Sequence, residues 1–526
     1  MKLSILTSLI TILSSAALSS QTTFQKIMSS TSASSDVAGN SLGTTQDGGF
    51  VICGHTNDYS NGAEYDIYLI RTNLVGDTLW SRQYGNVAGD ESGYCVNQTY
   101  DGGFIITGYS TSFGSGYSDV YLLKTDSSGT LQWSKAFGGS NEEYGYSVAQ
   151  CADSGFIVSG WTNSFGAGNA DVLVWKTDKL GNTQWSTTLG GSSYDFGLSV
   201  TQTNDCGYVL TGQTASFGDT LGDLFLIKMD SIGNLEWSYL YGQNGYWETG
   251  NSVRQTMDRG FIIVGGSRMF PNIDSDVYLI KTDSSGNYQW SKTFGGTDYD
   301  MGNDVIQTTD GGYAIIGNTM SFGFGHTDAY VIKTDSTGNV QWSKAYGGAW
   351  YDNGNSMIQH TDGSFVITGY AQISPGGVYI IKTDSQGNSG CNETIPMTVQ
   401  NTIATSQLNF SPIALTPIII PLVALTTTTF PNSVDTTICF SVGVNEIIGT
   451  APITLFPNPA TFSLTIQNVC NCESYLVSDL TGNLIQSGNI AGENFTIDVS
   501  SLSTGIYFLQ LTSELANATT RFVKIE

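Results

Sequence analysis

Tryptophan recurs in this chain at Trp80, Trp133, Trp185, Trp237, Trp290 and Trp342, in steps of 52 or 53 residues. Two further markers keep the same step. An Asp-x-Gly or Asp-Gly-x turn starts at Asp47, Asp101, Asp153, Asp205, Asp258, Asp310 and Asp362, and a basic residue precedes a Thr/Met-Asp/Asn pair at Arg71, Lys124, Lys176, Lys228, Lys281, Lys333 and Lys382. Self-similarity at a fixed period of this length means one supersecondary unit repeated against its neighbours. In the sixth unit Asp304–Thr308, Tyr313–Asn318, Ala329–Thr334 and Val340–Tyr346 read as strands, alternating apolar with polar residues and separated by Asp-Gly-Gly and Asp-x-x-Gly-Asn turns. Four short strands per unit of about 50 residues is the pattern of propeller blades, and no segment carries the 3.6-residue period of a helical repeat. The expected fold class is all-β: a seven-bladed β-propeller followed by a small, Ig-like β-sandwich.

The ends of the repeat array predict a closed ring. The seventh unit has three strands, and Gly387-Asn388-Ser389-Gly390-Cys391 stands where its tryptophan strand belongs. Phe24-Gln25-Lys26-Ile27-Met28, ahead of any first strand, matches Trp133-Ser134-Lys135-Ala136-Phe137 in pattern. Donating this orphan strand to the seventh blade would leave no sheet short of its edge.

Successive connections in such a blade alternate between two faces, so the longer loops share one face, where function concentrates. Each unit sets a carboxylate just before its innermost strand: Glu91, Glu143, Asp195, Glu248, Asp300 and Asp352, with Asp36 one residue out of register. These are expected either to form an acidic ring at the channel mouth, with a divalent cation as its conceivable ligand, or to accept N–H bonds within their own loops. Ser-Phe-Gly repeats at Phe113, Phe165, Phe217 and Phe322 and reads as packing. Trp161, Trp247 and Trp350 do not repeat. With Glu248, Tyr351 and Asp352 they are the ligand-binding candidates, because a flat ring beside a carboxylate suits a sugar or a peptide.

Charge and composition narrow the function. The chain holds 45 acidic and 19 basic residues, a net charge of −26, which argues against nucleic acid or an anionic membrane as partner. Three histidines, His55, His326 and His360, leave little for histidine catalysis or a histidine metal site. No nucleophile elbow, phosphate loop or zinc motif is present. The stretch from Asp298 to Asp304 falls short of a calcium loop, with no oxygen ligand at its fifth position and Thr309 where a bidentate Glu belongs. The remaining conspicuous acids, Asp66, Asp119, Asp171, Asp223, Asp276 and Asp328, belong to the repeat, so no catalytic residues are assigned.

Outside the repeats, residues 1–20 carry a short basic start, an apolar run and small residues, the pattern of a secretory signal peptide. No other stretch is long and apolar enough for a transmembrane span; Ile413–Leu425 is short and broken by Pro417 and Pro421. The propeller is expected over 21–390 and a Thr/Pro/Ile-rich linker over 391–450. Cys391 and Cys439 flank that linker as a plausible bridge in an oxidising compartment, and Cys53, Cys95, Cys151 and Cys206 read as buried thiols.

Residues 451–526 alternate short strands with Asn, Gly and Pro. Here Phe456-Pro457-Asn458-Pro459-Ala460, Asp479-Leu480-Thr481-Gly482, Leu502-Ser503-Thr504-Gly505-Ile506-Tyr507-Phe508 and the closing Phe522-Val523-Lys524-Ile525 resemble a type IX secretion C-terminal sorting domain, with Glu526 where Lys is common. The repeats resemble the propeller-like repeats often fused to such tails. The resemblance implies export by the signal peptide, passage across the outer membrane with the secretion machinery as partner, and release or attachment at the cell surface. The leading expectation is a non-enzymatic binding protein for an extracellular glycan or protein. The alternatives are a secreted polysaccharide hydrolase or lyase, with Glu248 or Asp352 as acid or base, and a structural surface spacer.

Overall fold

The computed structural model describes residues 22–29, 37–57, 64–86, 88–219, 221–269, 274–372, 376–403, 405–415, 427–428, 434–442, 454–456, 460–467, 474–479, 484–490, 495–512 and 517–524. Two compact units emerge, Thr22–Ser441 and one that contains Val442–Glu526. Among the described residues every regular element is a strand, and no helix is long and apolar enough to cross a membrane.

The first unit is a seven-bladed propeller of antiparallel four-stranded meanders. Its innermost strands are Val37–Thr44, Glu91–Gln98, Glu143–Gln150, Asp195–Gln202, Tyr246–Gln255, Asp300–Gln307 and Asp352–Gln359, in blades 1 to 7. The ring closes as the sequence predicts. Thr22–Ser29 lies antiparallel to Gly377–Lys382 in blade 7, with Phe24 opposite Lys382 and Met28 opposite Val378. One detail differs from the sequence reading. The sixth inner strand starts at Asp300, four residues earlier than expected, so the repeat carboxylate is the first residue of the strand.

The three sequence markers turn out to be joints. Each tryptophan packs against a turn glycine of the next blade, as Trp80 does against Gly129, whose φ is +79° and whose missing Cβ would fall 2.8 Å from the indole. The other pairs are Trp133–Gly181, Trp185–Gly233, Trp237–Gly286, Trp290–Gly338 and Trp342–Gly387; Phe24 of the closing strand takes the tryptophan's place against Gly76. The turn aspartates and the basic residues are one ion pair per blade, such as Lys124–Asp101 at 3.0 Å and Lys176–Asp153 at 2.7 Å, with the lysine buried and the aspartate at the surface. Arg71–Asp47 is the blade 1 counterpart.

The described strands between residues 393 and 442, within the stretch expected as a linker, pair with the rims of the blades against their order. Glu393–Thr394 pairs with the outer strand of blade 6, Val399–Asn401 with blade 5, Ser406–Asn409 with blade 4 and Ile413–Leu415 with blade 3. Thr427–Thr428 then joins blade 1, and Val434–Val442 lies beside Thr22–Ser29 in blade 7. The strands from Val399 onward begin at residues 399, 406, 413, 427 and 434, a step of seven or twice seven. The carbonyls of Pro396, Ile403 and Phe410 keep the same step and accept from Ser343, Ser291 and Ser238, the serines that follow the repeat tryptophans. The belt thus covers, with short added strands, edges that would otherwise invite pairing.

Cys391, at the start of the belt, is disulfide-bonded. The side chain of Cys439, the partner expected from sequence, lies outside those described. Cys53 and Cys151 are buried thiols, but Cys206 is exposed: with φ at +66° it occupies the tip of the Asp205 turn, where the other blades mostly carry glycine.

The second unit is a small sandwich. One sheet orders Thr454–Phe456, Ser463–Gln467 and Phe495–Asp498; the other orders Leu484–Asn489, Ser474–Ser478, Gly505–Thr512 and Asn517–Lys524. Leu464, Ile466, Val477, Ile497, Leu509, Leu511 and Phe522 fill the space between them. Of the sorting-motif residues, Tyr507 is buried against Phe522, its hydroxyl donating to the Ser503 carbonyl at 2.9 Å, and Lys524 is buried in the last strand. Gly505 opens the third strand of its sheet, while Pro457, Asn458, Pro459 and Gly482 lie outside the described residues.

Candidate functional site in the channel and long-loop face

The repeat carboxylates are consumed by their own loops. Glu91 accepts from Ser110 Oγ at 2.6 Å and the Asn86 N–H at 2.9 Å; Glu143 accepts from Thr162 Oγ1 at 2.7 Å and the Gly139 N–H at 2.7 Å. Asp195, Asp300 and Asp352 accept the N–H groups of Gly191, Gly296 and Gly348 at 2.6–2.8 Å. All of these carboxylates, and Glu248, are 0–1% exposed, while Asp36 lies outside the described residues. Donors crowd them, an arrangement that suits an anion or a shared proton. Among the described residues no group of three or more His, Cys, Asp or Glu is placed to hold a metal ion.

Each inner-strand carboxylate also faces the third-strand aspartate of the preceding blade across a glycine. A Cβ on Gly138 would stand 2.1 Å from Asp119 and 2.3 Å from Glu143; on Gly190, 2.0 Å from Asp171 and 2.7 Å from Asp195. Burial pushes Asp66, Asp119, Asp223, Asp276 and Asp328 up to about 6, and Glu248 up to about 9. Asp119 Oδ1, Asp171 Oδ1, Asp328 Oδ1, Asp300 Oδ1 and Glu248 Oε2 are buried and find no hydrogen-bond partner, as expected where two carboxyls meet.

The aromatic candidates divide. Trp350 and Tyr351 are 57% and 44% exposed. Tyr351 stacks on His326 at 5.0 Å and 11°, and Trp350 lies 6.4 Å from the same imidazole. The His326 N–H donates to the Trp350 carbonyl at 3.1 Å and the Asp352 N–H to the Thr327 carbonyl at 2.7 Å, which fastens the long loop of blade 6 to the blade 6–7 connection. Trp247 is half-buried, with the Arg268 guanidinium 5.4 Å above its ring. Trp161 is half-buried too, stacked on Tyr144 at 4.7 Å. Phe113 and Phe322 pack against Tyr121 and Tyr330, in keeping with their repetition.

Two features escaped the sequence reading. The inner strands of all seven blades line one axial cavity of about 530 Å³ toward the tight-turn end, and Arg254 and Asp304 form an ion pair of 2.9 Å in its wall. Asp304 stands where five other blades carry serine, namely Ser41, Ser147, Ser199, Ser252 and Ser356. The other feature is a run of aromatics, Tyr94, Tyr109, Tyr144, Tyr146, Trp161 and Phe196, on blades 2 to 4. Departure from the repeat at a fixed inner-strand position was the available signal for both.

Residues 454–526 match the secretion system C-terminal sorting domain. The chain therefore ends in a type IX sorting tail, which indicates a secreted or cell-surface protein that associates with that secretion machinery. A stretch of 119 residues, 20% of the chain, is 27% identical to the regulatory protein FlaEY of Caulobacter vibrioides and covers 12% of it. Among solved structures, PorZ, an essential bacterial surface component of the type IX secretion system of Porphyromonas gingivalis, is similar over 92% of this chain and 59% of its own, with a TM-score of 0.38 and 9% identity. The extracellular domain of BT4673 from B. thetaiotaomicron is similar over 96% and 60%, with a TM-score of 0.38 and 10% identity. The chain spans less than two thirds of each of these proteins.

Proposed function

We propose that this is a non-enzymatic binding protein, directed into the periplasm by residues 1–20 and outward by its sorting tail, whose propeller recognises an extracellular glycan at the long-loop face. The observation that carries this reading is the Trp350–Tyr351–His326 platform: large rings left open on a loop that backbone hydrogen bonds hold in place. Such rings offer an apolar face and a polar edge at low entropic cost. The acids a hydrolase would use point the other way, since Glu248 and Asp352 are 0% and 1% exposed and turned into their own loops. A glycan array probed with the full chain and with Trp350→Ala/Tyr351→Ala tests the reading. Binding that disappears in the variant supports it. Binding that survives removes the platform from the site, turnover of a bound polysaccharide establishes the hydrolase alternative, and silence of the parent chain on every glycan favours the spacer.

A further inference from the structure

The residue after the inner-strand bulge glycine does architectural work in four blades. Asn40, Asn251, Asn303 and Asn355 each donate from the side-chain amide to a glycine carbonyl of the next blade, Gly93, Gly302, Gly354 and Gly39, at 2.8–2.9 Å. Blades 2 and 3 give this bond up and carry Tyr94 and Tyr146 instead. The fold does not demand these tyrosines, because its own solution is asparagine.

What replaces the bonds is a continuous aromatic surface. Tyr94 and Tyr146 stack at 5.0 Å and 13°, Tyr94 meets Tyr109 at 5.7 Å, Tyr109 meets Tyr144 at 4.8 Å, and Tyr144 stacks on Trp161, which meets Phe196 at 5.6 Å. All six rings are half-buried strand residues. The residues that follow Tyr94 and Tyr146, Cys95 and Ser147, line the axial cavity of about 530 Å³, so the aromatic surface and the cavity share the inner strands of blades 2 and 3. That volume lies within the roughly 300–1,000 Å³ of small-ligand sites. Among the described residues, the only charged side chains lining the cavity, Arg254 and Asp304, are paired with each other, and the protein's net charge of −26 opposes a polyanion. A neutral ligand with apolar faces and hydroxyl edges matches four phenol-bearing rings, an indole and the Ser147, Asn97 and Thr201 groups of the cavity.

We propose that the aromatic wall of blades 2 to 4 and the axial cavity bind the end of a neutral oligosaccharide chain. The proposal rests on the glycan-binding reading above and adds a second, inward subsite on blades away from the Trp350 platform. Its test uses the full chain and soluble hexasaccharides (cello-, xylo-, manno-, malto- and chitohexaose), with a proline-rich hexapeptide as the competing class, titrated by calorimetry and indole fluorescence. The decisive variant is Tyr94→Asn/Tyr146→Asn, which installs the residue the repeat itself uses and keeps the fold, as a thermal midpoint within a few degrees of the parent would verify. At least one hexasaccharide is expected to bind, about tenfold or more weaker in this variant. Trp161→Phe is expected to abolish the fluorescence change while binding persists by calorimetry. Equal affinity in Tyr94→Asn/Tyr146→Asn overturns the channel site while leaving the platform reading intact. Binding of the peptide alone, or of none of the probes, overturns the sugar assignment.

Discussion

The carboxyl pairs between blades make the propeller's stability depend on pH in an unusual direction. A buried acid whose pKa is raised on folding binds its proton more tightly in the folded state. Its contribution is complete below the unfolded value of 3.8 and is lost as pH climbs through about 6. Asp119 is the clearest case, 1% exposed, with Oδ1 unpartnered and Glu143 opposite. At about 1.4 kcal/mol per pKa unit, its ionisation costs on the order of 1–3 kcal/mol at neutral pH. On the acid side the turn aspartates act oppositely. Against the upward push of burial, bonds from Thr203, the Gly207 N–H and Lys228 hold Asp205 at about 2, and Lys333 and Thr308 do the same for Asp310. Their contribution is lost only as pH falls from 3.8 toward 2. Stability is therefore expected to peak near pH 4, close to the unfolded value that separates the two sets. With an unfolding entropy of about 2 cal/mol/K per residue, the unit Thr22–Ser441 shifts its midpoint by roughly 1 °C per kcal/mol. Calorimetric scans at constant ionic strength should show a midpoint roughly 5–15 °C higher at pH 5 than at pH 7.5, the sum over five such aspartates. Asp119→Asn, whose amide can donate to Glu143, should raise the midpoint by about 1–3 °C at pH 7.5 and leave it unchanged at pH 4.5. A midpoint that is flat or rises from pH 5 to 8, or an Asp119→Asn variant destabilised at pH 7.5, would refute the shared-proton account.

Two further perturbations probe the joints. Gly338→Ala puts a Cβ 2.7 Å from the Trp290 ring at a φ of +79°, so it should lower stability by about 2–3 kcal/mol in denaturant titration, whereas the same change at Gly311, with open space around it, should cost about 1 kcal/mol for its φ alone. Thr405→Val keeps its shape but strips a partner from the buried Tyr278 hydroxyl, 2.5 Å away, and should cost about 1–3 kcal/mol; Thr402→Val, which loses an exposed bond to Lys292, should cost almost nothing.

How much of this was legible follows from how far apart interacting residues lie in sequence and how often they recur. The blades announce themselves because each joint occurs six or seven times: the Asp47–Arg71 and Asp101–Lys124 type of pair appears as two markers in step before it is known to be one contact. Closure was readable for the same reason, since Phe24 and Lys26 fit the Trp133 and Lys135 pattern with no blade of their own. The belt was not, because most of its strands are two to four residues long and carry no alternation to detect, and those from Val399 onward pair with edges more than a hundred residues away. Its one trace is the seven-residue recurrence of Thr398 with Thr405 and of Gln400 with Gln407. Thr398 and Thr405 face Ser343 and Ser291, and Gln400 and Gln407 accept the Val340 and Tyr288 N–H groups. The inner-strand sites reverse the logic. A repeat shows what the fold requires, so Tyr94, Tyr146 and Asp304 stand out only once the asparagine and serine they displace are known to hold the ring together. In a protein built from copies of one sheet, function is therefore to be sought where a copy gives up a structural bond, and the carboxylates common to every blade mark the architecture that makes such departures affordable.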